Sequence, residues 1–238
     1  LMAGLVAEAV RAAPADTYPQ MIKPVLQFLV DSHRHDLLNI YFNQYIEQVY
    51  ARFIKSFGSA GEEGKRVLFV ATNPGFQILR EALYLKKNGY APFLLCFNDT
   101  PGPLHAVLDR AFVDILRVHR HYRLLRRVVA RLDPERIHLQ CQMWDYLMAR
   151  SVMEVVPNAA SICEFYDVTS LHGEPEFFYR NWDPATVDVD FAMERYIFQN
   201  ADGIIHRYAP EANELLERRH GRLPAFLPMQ PYPCPEFS

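Results

Sequence analysis

Apolar positions change their spacing once along this chain. From Asp36 to Phe57 the residues Leu38, Phe42, Tyr45, Val49 and Phe53 recur every three or four positions, the period of one helix face. The connector Gly58-Ser-Ala-Gly-Glu-Glu-Gly64 follows, rich enough in glycine to break any regular element. Beyond it, short continuous apolar runs alternate with helical stretches. Arg66 to Ala71 and Ala91 to Phe97 are two such runs, joined by a predicted helix from Phe76 to Asn88 that Gly89 caps. Neither run alternates polar and apolar residues, as expected of parallel strands buried on both faces. Two strands and a helix in so few residues make a right-handed βαβ unit.

The rhythm continues to the end. Phe112 to Leu116 reads as a third strand or as the start of the basic helix after it. Arg136 to Gln140 is a fourth strand, Met143 to Val156 a helix, and Ala160 to Phe165 a fifth strand. Asp167 to Asp190 reads as irregular, before a helix ending at Asn200. Gly203 to His206 is the sixth strand, Pro210 to His220 a helix stopped by Gly221, and Ala225 to Met229 a last apolar run. The predicted class is α/β: a Rossmann-like, doubly wound parallel sheet of six or so strands over residues 65–232, with a helical N-terminal extension over residues 1–60.

In open parallel sheets, ligands bind beyond the carboxyl ends of the strands, near the switch in strand order. That rule selects Thr72, Asn73 and Gly75 after the first strand, Asn98 and Asp99 after the second, and Gln142, Trp144 and Asp145 after the fourth. Glu164, Tyr166, Asp167 and Thr169 follow from the fifth strand, and His206 and Arg207 from the sixth. Thr72-Asn-Pro-Gly75 opens a helix whose backbone amides suit an anion or serve an ordinary turn. It is neither GxGxxG nor a Walker loop, which disfavours a nicotinamide site. Trp144 offers a face for stacking on a sugar or simple core packing. Asp145 serves equally as a helix cap. Asp167 is the candidate base toward an acceptor hydroxyl, and Arg207 the candidate phosphate or carboxylate fork, with a loop ion pair as its alternative.

Composition narrows the class further. With 238 residues, 50% of them hydrophobic, the chain can bury a full core. Charged residues make up 22% and the net charge is −3, so no global field recruits nucleic acid. Cys96, Cys141, Cys163 and Cys234 form no CxxC pair, which points to buried thiols in a reducing, cytoplasmic setting. His33 and His35, like His119 and His121, are two apart and share no helix face, so no metal is expected from local spacing. Arg117, Arg120, Arg123 and Arg127 recur at three and four. They form either a solvated helix face or a stripe for anionic lipid at the inner face of a membrane.

The words Arg195-Tyr-Ile-Phe-Gln-Asn-Ala-Asp-Gly-Ile-Ile-His206 and Pro210-Glu-Ala-Asn-Glu-Leu-Leu-Glu-Arg218 resemble the close of the N-terminal domain of family-4-type GT-B glycosyltransferases. The resemblance implies half of a GT-B fold that binds a sugar, polysaccharide or lipid-linked acceptor. A C-terminal domain, which lies beyond these residues, would bind the nucleotide-sugar donor, so the isolated piece is expected to be inactive. It implies no metal and no other cofactor. Asp167 would be catalytic, and Thr72, Asn73, Gly75, Trp144, Tyr166 and Arg207 would line the acceptor cleft. The chain departs from the family in lacking paired glycines after the first strand and in ending the fifth with Tyr166-Asp167 where many members carry histidine. The alternatives are a non-catalytic module that keeps the fold, or a nucleotide-sugar epimerase of the same architecture.

Overall fold

The computed structural model describes residues 42–43, 45–60, 65–98, 104–118, 122–141 and 146–228. It divides into two compact units between Ser59 and Ala60. In the first unit, residues 42–43 and 45–49 are helical, Tyr50 bends the chain, and helix α1 spans Ala51–Ser59. Phe42, Tyr45, Phe53 and Phe57 are buried there, and Tyr45 meets Tyr50 edge-on at 5.0 Å. The bend at Tyr50 interrupts what the periodicity predicts as one helix.

The second unit is a seven-stranded, all-parallel, Rossmann-like sheet. Its strands are β1 (Arg66–Ala71), β2 (Ala91–Cys96), β3 (Ile115–Arg117), β4 (Arg136–Cys141), β5 (Ala160–Phe165), β6 (Gly203–His206) and β7 (Ala225–Pro228). Their spatial order is β3-β2-β1-β4-β5-β6-β7. The chain winds outward from β1 in one direction, then crosses back to β4 and winds outward in the other, so the switch point lies between β1 and β4. Helices α2 (Phe76–Lys87) and α3 (His105–Ala111) cover one face. There Val67, Phe69 and Ala71 pack with Ile78, Leu79, Ala82, Val107 and Leu108. On the opposite face, Phe165 touches Tyr146 of α5 (Tyr146–Met153) and Phe198 of α8 (Pro184–Asn200). Helix α4 (Tyr122–Leu132) buries Leu124, Leu125, Val128 and Val129, and α9 (Ala212–His220) ends at Gly221 with φ of +75°, a left-handed cap that favours glycine.

The structure corrects three elements. The third strand begins at Ile115, because Phe112 belongs to the core at the end of α3 and the Asp114 carboxylate accepts the Ile115 amide at 2.9 Å. Arg117 therefore lies on a strand, away from Arg123 and Arg127 on α4, while Arg120 is outside the described residues. The basic stripe is broken as a helix face. The region from Asp167 to Asp190 is also not irregular: it holds α6 (Thr169–His172), α7 (Pro175–Phe178) and the first turns of α8. Asp183 caps α8 by accepting the Thr186 amide at 3.0 Å, with Pro184 in the first turn. Val187, Val189 and Phe191 alternate in those turns in place of recurring at three and four, so a cap rather than periodicity starts the helix.

Candidate functional site

Parallel strands bring the carboxyl ends of β1, β2, β4, β5 and β6 to one edge of the sheet, and three polar clusters sit along or just beneath it.

The first is at the switch point. Asn73 and Asn98 join across β1 and β2, with Nδ2 of Asn98 donating to Oδ1 of Asn73 at 2.7 Å, both exposed. Thr72 turns inward, is buried and meets Met148 Sδ, so its hydroxyl serves packing instead of a ligand. Gly75 caps α2, and a Cβ there would stand 3.2 Å from the Tyr166 hydroxyl and 4.0 Å from Nε2 of Gln140. The backbone amide of Gln77, in the first turn of α2, donates to that same Tyr166 hydroxyl. One of the amides that a phosphate would use is thus already taken by Tyr166. Burial raises the Tyr166 pKa, and Glu164 adds to the rise, so its phenol stays neutral. Gln142, Trp144, Asp145 and Asp99 lie outside the described residues.

The second cluster lies beyond β5 and β6 and is open to solvent. Arg207 donates to Oδ1 of Asp167 at 2.5 Å, the Tyr208 hydroxyl donates to the same oxygen at 3.3 Å, and Nε2 of His172 stands 3.5 Å from it. Tyr208 also meets His172 at 3.0 Å. All these contacts converge on Oδ1, so among the described residues Oδ2 has no hydrogen bond. Under this open cluster lies a buried base. The Tyr146 hydroxyl meets the Asp167 carbonyl at 3.0 Å and Glu194 at 3.1 Å, accepts from the Thr169 amide, and stands 3.2 Å from the Thr169 hydroxyl oxygen. Thr169 in turn donates to Asp190 at 3.0 Å, and His220 meets Glu194 at 3.1 Å while stacking on Phe198. Burial, with the Glu194 charge, pushes the Tyr146 pKa well above the ordinary phenol value. His206, in contrast, is buried, meets Asn213 at 2.8 Å and stacks on Phe226, which makes it a structural residue of β6.

The third cluster is one layer below the switch point, between the sheet and α2. His138 of β4 stands 3.0 Å from Oε2 of Glu81 and 3.2 Å from Oε2 of Glu164, both measured from Nε2. Phe69 stacks on its ring at 4.6 Å. Burial by itself would depress the imidazole, but the two carboxylates outweigh it and hold His138 up at about 10. Glu164, fully buried, is raised mainly by that burial and by Glu81, against the pull of His138. Gln140 lies beside this cluster as the register partner of Glu164. It is 1% exposed, and neither amide atom has a hydrogen-bond partner among the described residues. Local spacing missed the cluster, because its members come from one helix and two strands separated by 57 and 26 residues (138 − 81 and 164 − 138). A charged residue inside an apolar strand was the available signal, in His138 and Glu164 alike.

No protein-family model and no curated protein matches this chain. Among the described residues no helix is long and apolar enough to cross a membrane.

Proposed function

We propose that the second unit is the acceptor-side half of a glycosyltransferase, with the Asp167 cluster as its working edge. One observation carries this reading: Arg207 and Tyr208 hold Asp167 through a single carboxylate oxygen, with His172 3.5 Å from it, and the other oxygen has no hydrogen bond among the described residues. Such a carboxylate is oriented yet retains a lone pair for an incoming hydroxyl. The acceptor O–H would donate to Oδ2. As the acceptor oxygen bonds to the anomeric carbon, the bond to the leaving nucleoside diphosphate breaks and the proton passes to Asp167. Arg207 pairs with the carboxylate and orients it, and Tyr208 and His172 limit its rotation. The Tyr146–Thr169–Glu194 base fixes the backbone at Asp167, which is the support a positioned base requires.

Two further features support an acceptor role over a donor role. Tyr166 occupies the first-turn amide of α2 that would otherwise meet a phosphate. The exposed Asn73–Asn98 pair offers amide groups suited to sugar hydroxyls. Donor binding is assigned to a second domain, as the resemblance in residues 195–218 implies.

Transfer assays on the full-length protein with a panel of nucleotide-sugars, alongside calorimetry with saccharide and lipid-linked acceptors, test the reading. Asp167→Asn is expected to lower kcat by roughly 10²–10⁴-fold, the range of general-base catalysis, with the fold unchanged. Failure to bind any nucleotide-sugar, or a fully active Asp167→Asn, overturns it. The first result would leave a non-catalytic binding module.

A further inference from the structure

The buried cluster under α2 has a bonding deficit that its own protons do not fill. Nε2 of His138 carries at most one hydrogen, yet two carboxylate oxygens approach that nitrogen, at 3.0 and 3.2 Å. The hydrogen bond goes to Glu164, and Oε2 of Glu81 is left with none. Oε1 of Glu164 also has no partner, although the side chain is 0% exposed. Gln140, on the same sheet face and in register with Glu164, adds a buried amide whose oxygen and nitrogen are both unpartnered among the described residues. Four unsatisfied polar atoms in one buried layer is a departure from the rule that such groups are paired or bind an ion or water. Two carboxyl groups also crowd one imidazole nitrogen, and burial makes any charge left unpaired among them costly.

A divalent cation corrects both faults. It needs a lone pair from each of the three groups, and it balances two carboxylates with the imidazole neutral. The separations fit: around a tetrahedral ion with bonds of roughly 2.0–2.1 Å, ligand atoms stand about 3.3 Å apart. The three ligand atoms all lie within 4.8 Å of one another. Imidazole with two carboxylates is a donor set for zinc and its neighbours, and less suited to calcium or magnesium, which prefer oxygen alone.

We propose that Glu81, His138 and Glu164 form a binding site for a divalent transition-metal ion of the zinc class, with Gln140 placed to hydrogen-bond a water in the fourth position. On binding, Nε2 of His138 bonds to the metal and its proton leaves to solvent. Glu81, on α2 and 23% exposed at its side chain, is the way in. The ion would tie α2 to β4 and β5 directly beneath Gly75 and Tyr166, stiffening the floor of the switch point. This site is independent of the glycosyltransferase reading.

The test uses the chain stripped with a chelator and titrated with Zn²⁺ against a chromophoric competitor. Co²⁺ serves as the spectroscopic probe. The expected result is one equivalent per chain, a visible Co²⁺ absorption of low-symmetry four-coordinate type, and a melting temperature raised by Zn²⁺. His138→Gln is expected to lower the affinity by at least about 100-fold, beyond the ~10–100-fold typical of outer-shell changes. Glu81→Gln, on the more accessible helix, should weaken binding at least about tenfold and provides the comparison if His138→Gln does not fold. His172→Ala, on the surface, should bind as the parent does. Absence of stoichiometric binding, or binding unchanged in Glu81→Gln, overturns the proposal and leaves His138 as an imidazolium clamped between two glutamates.

Discussion

Two clusters of nearly the same chemistry stand at different depths of one sheet. Asp167 with Arg207, Tyr208 and His172 is open to water, whereas Glu81 of α2 meets His138 and Glu164 between that helix and the sheet. Each brings a histidine to within 3.5 Å of a carboxylate. Depth decides what that contact does. In water an ion pair is screened and weakly stabilising, about 0–1 kcal/mol, and its members can exchange partners for a ligand. Between a helix and the sheet, His138 and Glu164 are shut off from water and only Glu81 reaches it, so removing one partner leaves a buried group uncompensated. The open cluster is therefore suited to binding and proton transfer, and the buried one to holding elements together.

The sharpest way to break this comparison is His138→Ala, which strands the buried Glu164 and the half-buried Glu81. A loss of about 3–5 kcal/mol in denaturant unfolding is expected, with Asp167-dependent chemistry failing only as the fold fails. A loss below 1 kcal/mol would show that burial does not separate the clusters. The pH dependence of the metal-free chain follows from the same residue. His138 is raised to about 10 from an ordinary 6.5. Its contribution is thus fully present below pH 6.5 and is lost as the pH rises through about 10. The unfolding midpoint should fall across that window in the parent, and the fall should flatten in His138→Gln.

Tyr146→Phe probes the base beneath the open cluster. It removes an oxygen that joins Thr169, Glu194 and the Asp167 carbonyl, and a cost of about 1–3 kcal/mol is expected for the groups left unpaired. Hydrogen exchange should then speed at Thr169 and Ser170 before the rest of the sheet. The smallest effect on stability belongs to Arg207→Ala, within about 1 kcal/mol because the pair is exposed. Its effect on acceptor binding should be large by comparison. A variant that loses stability but binds normally would assign the Asp167–Arg207 pair to the fold alone.

Much of the fold was legible in residue order. Strand runs from Arg66, Ala91, Arg136, Ala160 and Gly203 appear where the apolar segments predict, because two-sided burial writes a continuous apolar signal. The third strand was misplaced because Phe112 is apolar for the core beneath α3 and not for the sheet. The first turns of α8 were missed because a cap, Asp183 with Pro184, carries the signal there in place of a repeating face. At the site, strand-end geometry was enough to select Asp167, Tyr166 and Arg207 as neighbours of one edge. It could not tell that Thr72 turns inward to Met148, or that Tyr166 takes the Gln77 amide. Those outcomes depend on which side of each loop packs against its neighbours in the folded chain.

The sequence alone determined an α/β domain and the edge at which its polar loops gather, because period and burial are local properties written in neighbouring residues. Only the tertiary structure decided that Glu81, His138 and Glu164 meet. A helix and two strands carry them, and strand order places β4 beside β5 with α2 above both. Register then set Gln140 next to Glu164. Contacts between segments far apart in the chain follow from winding and register, which no local spacing encodes.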